Sequence, residues 1–325
     1  MMTGPAPRPV TGRVLVALFL ALAALPLAAR FGAETAILSL ASRMIILAIA
    51  AVALDLILGF AGLVSLGHAA FIGIGAYGAG IMAKEGLGEA AFILPAVILI
   101  AALFAYLTGK IVLRTRGVGF IMITLAFGQM LFFTAGSLSR YGGDDGLTLW
   151  SRSKVFGTRV LENDLVLYYV ALAALFGTVV LVRRLLVAPF GDVLRAAREN
   201  PVRVETLGIN VEAARLKAYV ISGVLTALAG FLLANQSEFV SPALMGWQRS
   251  GELVMMVVLG GMGTLTGPIV GAILFLLLEF ELARLTEHWK LIFGPLLILV
   301  VLFGRGGLYG LVSRLAGRRF AGDRS

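Results

Sequence analysis

The chain has 325 residues, of which 59% are hydrophobic and 14% are charged, and its formal net charge at pH 7 is +9. Soluble globular proteins carry roughly 25% charged residues, so this composition excludes a water-soluble domain and predicts an integral membrane protein. The chain has no cysteine, which excludes disulfides, thiolate catalysis and cysteine-based metal sites.

Apolar runs separated by short polar loops predict a single transmembrane domain over residues 1–325. Its fold class is all-α, a polytopic transmembrane helical bundle of about 8–10 membrane segments that include glycine-broken helices. The first segment, which follows Arg8 and Arg13, has the features of a signal peptide, but in a chain with so many spans we favour a retained helix. The predicted segments are 14–29, 36–60, 61–83, 91–109, 117–136, 165–182, 218–236, 251–265, 266–280 and 291–304.

Two glycine-rich stretches interrupt the apolar runs, the first from Gly59 to Gly80 and the second from Gly260 to Gly271. Paired broken segments in a transporter indicate its translocation path. The alternative is that the glycines allow close helix packing, and the two roles are compatible. The candidate path residues are Gly62, Ser65, Gly67, His68, Gly260, Gly261, Gly263, Gly267 and Pro268. For His68 and Ser65, a hydrogen-bonded structural role is the favoured interpretation.

Charge distribution decides whether 251–280 is one helix or two. If it is split at Gly260–Pro268, one side of the membrane receives 17 basic and 5 acidic residues, and the other side receives 9 basic and 12 acidic residues. The positive-inside rule therefore favours the split, with both termini, the loop 183–217 and the polar tail 305–325 in the cytoplasm. The same rule accounts for the net positive charge of the chain, so nucleic-acid binding is not needed to explain it.

Two ionisable residues, Arg43 and Asp55, lie within one predicted span. Charged groups inside a membrane are functional candidates by default, because removing them from water is costly. Twelve residues correspond to about 18 Å of helix rise, so the two groups are too far apart to pair directly. Each is expected to find a partner on another helix or to reach an interface.

The loop 183–217 is the most informative polar segment. Its residues 192–200 suit a short helix, and Pro201 opens a second helical turn that runs toward Gly208. A short helix that carries both signs of charge suits docking into a partner. An equally good alternative from these residues alone is a solvated connector whose arginines lie on lipid headgroups.

Several catalytic patterns are absent from the sequence. The chain has no Gly-rich nucleotide-binding loop of the G-x-x-x-x-G-K-[ST] type and no H-E-x-x-H metal motif, and its two histidines, His68 and His288, lie far apart. We therefore expect no catalytic residues, no metal site and no cofactor.

Four stretches, in order along the chain, resemble the LivM-type permeases of branched-chain amino acid ABC importers, the LivH/LivM permease family. They are LDLILGFAGLVSLGHAAFIGIGAY (54–77), GVGFIMITLAFGQM with YGGDDGL (within 117–147), GDVLRAARENPVRVETLGIN (191–210) and VVLGGMGTLTGPIVGA (257–272). Two departures from the family pattern are Gln129, where relatives often carry Glu, and Tyr141, where they often carry Thr.

The resemblance implies a non-enzymatic membrane subunit of an importer in the bacterial inner (plasma) membrane. Its implied partners are a second related permease, two cytoplasmic ATP-binding subunits, a periplasmic or lipid-anchored binding protein, and membrane lipid. The loop 183–217 becomes the coupling element, and the residues expected to serve ATPase coupling are Arg195, Arg198, Glu199, Glu205 and Gly208. The alternatives are a permease for urea, an amide or another amino acid, and a stand-alone channel or secondary transporter.

Overall fold

The computed structural model describes residues 10–29, 34–286, 288, 291–295 and 298. The predicted cytoplasmic tail 305–325 and most of the last predicted segment, 291–304, lie outside these residues.

Helices dominate the described chain, which confirms the all-α prediction. Two short strands, β1 (Leu147–Thr148) and β2 (Phe239–Val240), pair antiparallel. The helices are α1 (Val10–Ala29), α2 (Glu34–Asp55), α3 (Ala69–Lys84), α4 (Ala90–Val112), α5 (Val118–Ser137), α6 (Asp164–Val187), α7 (Pro189–Glu199), α8 (Pro201–Thr206), α9 (Val211–Ser237), α10 (Trp247–Gly260) and α11 (Gly267–Leu285).

Five helical stretches of the described chain are long and apolar enough to cross a membrane. They are Ala36–Phe60, Ala90–Val112, Val118–Ser137, Asp164–Val187 and Val211–Ser237. The first of these is α2 continued by a π-helical turn, Leu56–Phe60. Two helices beside the glycine-rich stretches are shorter, α3 with 16 residues and α10 with 14. The length of α10 is about 21 Å of rise against a hydrocarbon layer of about 30 Å. The predicted split of 251–280 is therefore confirmed.

The helix α2 forms the centre of the bundle. Every residue from Met44 to Ala61 is buried, as expected of a helix that is apolar on all sides. It packs against α6, α9 and α11. In contrast, α4 and α5 leave many large apolar side chains exposed, which is the composition of a surface that faces lipid.

Glycines allow a very close helix contact between α3 and α9. A Cβ atom added at Gly75 of α3 would collide with the carbonyl oxygen of Ala227, and one added at Gly230 of α9 would collide with the carbonyl oxygen of Ile72. Because backbone meets backbone on both sides, no larger residue fits. This is the small-residue packing that replaces the hydrophobic effect between helices in lipid.

The bundle has two distinct ends. The end that carries α7 and α8 is called the α7 end, and the opposite end, which carries the loop 138–163 between α5 and α6, is called the loop end.

The first helix, α1, packs against α2 and α6. The hydroxyl of Tyr168, in α6, donates a 2.5 Å hydrogen bond to the carbonyl oxygen of Leu22, in α1.

Candidate translocation and coupling site

The first glycine-rich stretch contains a true break in the helix. Helical structure stops after the π turn at Phe60 and resumes at Ala69, so the intervening backbone is irregular. Gly62 has φ +72°, a conformation that glycine adopts without the strain that a side chain brings. Such a break inside the apolar layer is tolerated only when protein atoms satisfy its backbone groups.

Side chains of two other helices supply those partners. The Leu66 amide donates to the hydroxyl of Thr124 in α5 at 3.3 Å, and the Ala69 amide donates to the hydroxyl of Ser250 in α10 at 2.9 Å. Gly67 lies so close to α5 that a Cβ there would collide with the carbonyl oxygen of Thr124. The first break is thus held on α5 and α10 together.

The side chains of His68 and Ser65 are buried and hydrogen-bonded within the protein. His68 Nε2 lies 2.8 Å from Ser222 Oγ of α9, and its Nδ1 lies 3.4 Å from Ser65 Oγ. Because the Ser222 hydroxyl donates to the carbonyl oxygen of Ala53, the geometry assigns the proton to Nε2 of His68, which donates to Ser222. These contacts match the structural interpretation of both residues.

The second break connects α10 to α11. Gly261 has φ +116° and Gly263 has φ +74°. The Thr264 hydroxyl donates to the carbonyl oxygen of Gly261 at 2.8 Å and accepts from the amide of Gly267 at 3.0 Å, so it links the break to the first residue of α11. Pro268 then occupies the first turn of α11, where its missing N–H has no cost.

Glycines also join the two helices on either side of the second break. A Cβ at Gly260 would collide with the carbonyl oxygen of Gly267, and a Cβ at Gly271 would collide with that of Met256. The predicted packing role of these glycines is therefore present together with the break.

The two breaks meet at the buried carboxylate of Asp55. Its oxygens accept the amide N–H of Gly263 at 2.9 and 3.2 Å. Gly59 lies against this contact, since a Cβ at Gly59 would collide with both the Asp55 carboxylate and the Gly263 nitrogen. Asp55 is expected to find a partner on another helix or at an interface, and its partner lies in the break between α10 and α11.

The coupling segment folds as two short helices, as predicted, although α7 begins three residues earlier than expected. Leu194 and Ala197 are buried. The side chain of Asn200 accepts the amide of Arg203 at 3.0 Å and caps α8, and Gly208, with φ +79°, follows its end.

Arg198 connects α7 to both breaks. Its Nη1 donates a hydrogen bond to the carbonyl oxygen of Gly59. A Cβ at Gly62 would lie 2.8 Å from Arg198 Cγ, and one at Gly263 would lie 3.7 Å from Arg198 Nη1. The structure thus brings together Asp55, Gly59, Gly62, Gly263 and Arg198, a set called the junction below.

The remaining predicted coupling side chains are exposed, as is that of Arg198 itself. Glu199 and Glu205 are exposed. Arg195 is exposed as well, with its guanidinium held by Asp192 Oδ1 at 2.8 Å. Two large apolar side chains beside them are also exposed, Val202 by 59% and Leu207 by 74%, although this segment lies beyond the ends of the long apolar helices.

Of the two departures from the family pattern, Tyr141 has a clear structural role. Its hydroxyl donates to Glu85 Oε1 at 2.9 Å, and Arg140 Nη2 lies 2.7 Å from the same oxygen. The hydrogen bond to the carboxylate raises the pKa of Tyr141 above its usual value. These contacts tie the loop 138–163 to the end of α3.

A bundle of apolar helices with two interrupted helices joined inside it has the architecture of a polytopic membrane transport protein. Residues 36–302 match the family described as branched-chain amino acid transport system / permease component, and the chain belongs to this family.

Curated relatives cover most of the chain. The high-affinity branched-chain amino acid transport system permease protein LivM of Escherichia coli is 30% identical over 312 residues, 89% of this chain and 73% of the relative. LivM of Salmonella typhimurium is 30% identical over 83% of the chain and 69% of the relative. The corresponding protein BraD of Pseudomonas aeruginosa is 27% identical over 81% of the chain and 91% of the relative. No solved structure gives a significant match.

Proposed function

We propose that this chain is the permease subunit of an ABC importer that carries leucine, isoleucine and valine across the bacterial inner membrane, powered by ATPases on separate chains. Family membership and the names of its relatives support the class of cargo. In addition, the sequence lacks a Gly-rich nucleotide-binding loop, so the chain needs a partner to use ATP.

The observation that carries the coupling part of the proposal is the contact of Arg198 with Gly59. One face of the α7–α8 segment exposes Val202 and Leu207 to a partner, while Arg198 reaches the junction on the other side. Apolar side chains outside the apolar layer are typical of a protein interface. A cytoplasmic ATPase that moves this segment therefore moves the point at which both breaks meet.

The orientation follows from charge. The α7 end and both termini face the cytoplasm, because the segments assigned to that side hold 17 basic and 5 acidic residues against 9 and 12 on the other. A binding protein, periplasmic or lipid-anchored, delivers the amino acid at the loop end. A second, related permease subunit completes the path.

The path runs past the breaks, and ATP-driven motion opens it alternately to the two sides. Among the break residues, Gly62, Val64 and Met262 are exposed. Ser65 and His68 are hydrogen-bonded within the protein, so their role is to hold the first break in place. The solute contacts the exposed backbone and the apolar side chains of the breaks. An aliphatic solute suits such a surface.

Transport by the reconstituted complex tests the proposal. The chain, its companion permease, both ATPases and the binding protein are placed in liposomes, and uptake of radiolabelled leucine is measured with and without ATP. ATP-dependent uptake that excess isoleucine and valine inhibit, and urea and amides do not, is the expected result. Leucine or urea uptake by the chain alone, without an ATPase, would favour a stand-alone channel or secondary transporter and overturn the proposal.

The docking surface has its own test. Val202→Asp with Leu207→Asp is expected to release the ATPase from detergent-extracted complexes. The matched control is Trp150→Asp, which changes a 99% exposed apolar side chain at the loop end. Retention of the ATPase by the double variant would make the α7–α8 segment a connector.

A further inference from the structure

Arg43 lies in the half of α2 that is nearer to the loop end. Side chains on a helix lean toward its N-terminus, and α2 begins at the loop end, so the long arginine side chain leans that way. A cationic group at this depth is costly to keep without an anion or water.

Arg43 lines a cavity of about 520 Å³ between α2, α9, α10 and α11. This volume lies within the range of small-molecule sites. The polar lining includes Ser39, Gln236, Ser241 and Arg249, and the apolar lining includes Leu233 and Phe280. Gln236 Nε2 donates to Ser39 Oγ at 2.9 Å, which fixes one polar wall.

The three arginines around this region differ in how their charge is satisfied. Arg152, in an adjoining cavity, contacts two carboxylates, Asp164 at 2.6 Å and Glu238 at 2.9 Å. Arg249 contacts Glu252 at 2.6 Å. Arg43 has no hydrogen-bond or ion-pair partner among the residues that the structure describes.

We propose that the cavity around Arg43 is a subsite for the carboxylate of the transported amino acid, and this inference rests on the proposed function. A guanidinium binds a carboxylate through two parallel N–H···O bonds and keeps its charge at every physiological pH. The other arginines are already paired, so Arg43 is the group that an incoming carboxylate neutralises. Leu233 and Phe280 give an aliphatic side chain an apolar wall in the same cavity.

Cysteine labelling tests this subsite without relying on transport. Because the natural chain contains no cysteine, any label on this chain reports the introduced residue. Ser39→Cys, on the cavity wall, is treated with membrane-impermeant thiol reagents of opposite charge in the complete importer complex, reconstituted without binding protein. Ser241→Cys is the second reporter, in case loss of the Ser39 hydroxyl disturbs Gln236. With Arg43 present, the anionic reagent is expected to react faster than the cationic one.

Adding Arg43→Gln to either reporter is expected to lower the ratio of anionic to cationic rates by on the order of tenfold, since one nearby charge is removed. The matched control is Arg159→Gln, which removes an exposed arginine at the loop end outside the cavity lining and is expected to leave the ratio unchanged. Equal ratios with and without Arg43 would overturn the subsite.

Protection by solute tests the carboxylate itself. Leucine is expected to slow labelling of both reporters, leucinamide, which lacks the carboxylate, is expected not to, and Arg43→Gln is expected to abolish the protection by leucine. Equal protection by leucine and leucinamide, or protection that survives Arg43→Gln, would overturn the subsite. ATP-driven leucine uptake without such protection would overturn only the subsite, whereas absence of ATP-driven uptake in the full complex would overturn the proposed function.

Discussion

Arg198, the penultimate residue of α7, donates a hydrogen bond to the carbonyl oxygen of Gly59, in the π turn that ends α2. The last carbonyls of a helix lack partners within the helix, and the helix dipole makes this end negative. A guanidinium therefore stabilises it. The consequence is that α7, on the surface, is attached to the central helix at the point where the chain becomes irregular.

Arg198→Ala is expected to uncouple ATP hydrolysis from transport. A hydrogen bond to a charged group contributes about 1.5–3 kcal/mol, so its loss is expected to lower leucine uptake roughly tenfold or more. ATP hydrolysis by the complex is expected to continue, because the exposed apolar side chains of the docking surface, Val202 and Leu207, are unchanged. The measurement is the number of ATP molecules hydrolysed for each leucine taken up.

The control for Arg198 is Arg183→Ala, which removes an exposed arginine at the same end of the bundle. Its coupling ratio is expected to match that of the natural chain. If Arg198→Ala instead releases the ATPase from the complex and Arg183→Ala does not, then Arg198 belongs to the docking surface and does not transmit motion.

Gly263→Ala tests the junction between the two breaks. A Cβ at Gly263 would lie 3.4 Å from the Gly59 carbonyl oxygen, in the space between the breaks. The φ of +74° adds a strain of about 1–2 kcal/mol for alanine. Leucine uptake is expected to fall several-fold.

Gly86→Ala separates this effect from backbone strain alone. Gly86 has φ +83° and open space around its Cβ position, in the loop after α3. The strain is therefore similar, but Gly86 lies away from the junction, and uptake is expected to stay near normal. Equal losses in the two variants would show that strain, and not the junction, limits transport.

Much of this architecture could be predicted from the sequence, because helix breaks and charge bias are local signals. The Gly-Pro content of 260–268 and the count of charges on each side were enough to divide 251–280 into two helices. The side of α7 on which Arg198 lies could also be predicted from the sequence. Leu194 is buried, and Arg198, although exposed, follows it by four residues and so lies on the same side of the helix.

The long-range anchors of the first break could not be read from the sequence. Thr124, Ser222 and Ser250 are small polar residues in apolar helices, which signals that each has an internal partner. Which partner it has depends on helix packing, since the Ala69 amide and Ser250 are separated by 181 residues. Likewise, the meeting of Asp55 with Gly263 depends on how α2 lies against the second break.

Gly75→Ala and Gly230→Ala are expected to destabilise the bundle. Each Cβ would collide with a backbone carbonyl oxygen of the facing helix, which cannot move aside as a side chain can. Overpacking of this kind costs about 1–3 kcal/mol or more. The thermal unfolding midpoint of the purified chain in detergent is expected to fall for both variants.

Gly177→Ala in α6 is the matched control for these two, since no atom lies within 4 Å of its Cβ position. Alanine is favoured over glycine in a helix by roughly 0.5–1 kcal/mol, so this variant is expected to keep or raise the midpoint. A normal midpoint for Gly75→Ala would mean that α3 and α9 are farther apart than the structure has them.

Asp55 offers a way to separate the support of the second break from the transmission of motion. Asp55→Ala removes the acceptor of the Gly263 amide, and a donor left without a partner inside the protein costs about 1–3 kcal/mol. Asp55→Asn keeps an acceptor oxygen but removes the ionisable carboxyl group near Arg198. We expect the unfolding midpoint to fall clearly for Asp55→Ala and little for Asp55→Asn, while leucine uptake falls in both. If Asp55→Asn transports normally, its hydrogen bond is sufficient and its charge has no part in coupling; if Asp55→Ala is as stable as the natural chain, Asp55 does not hold the second break.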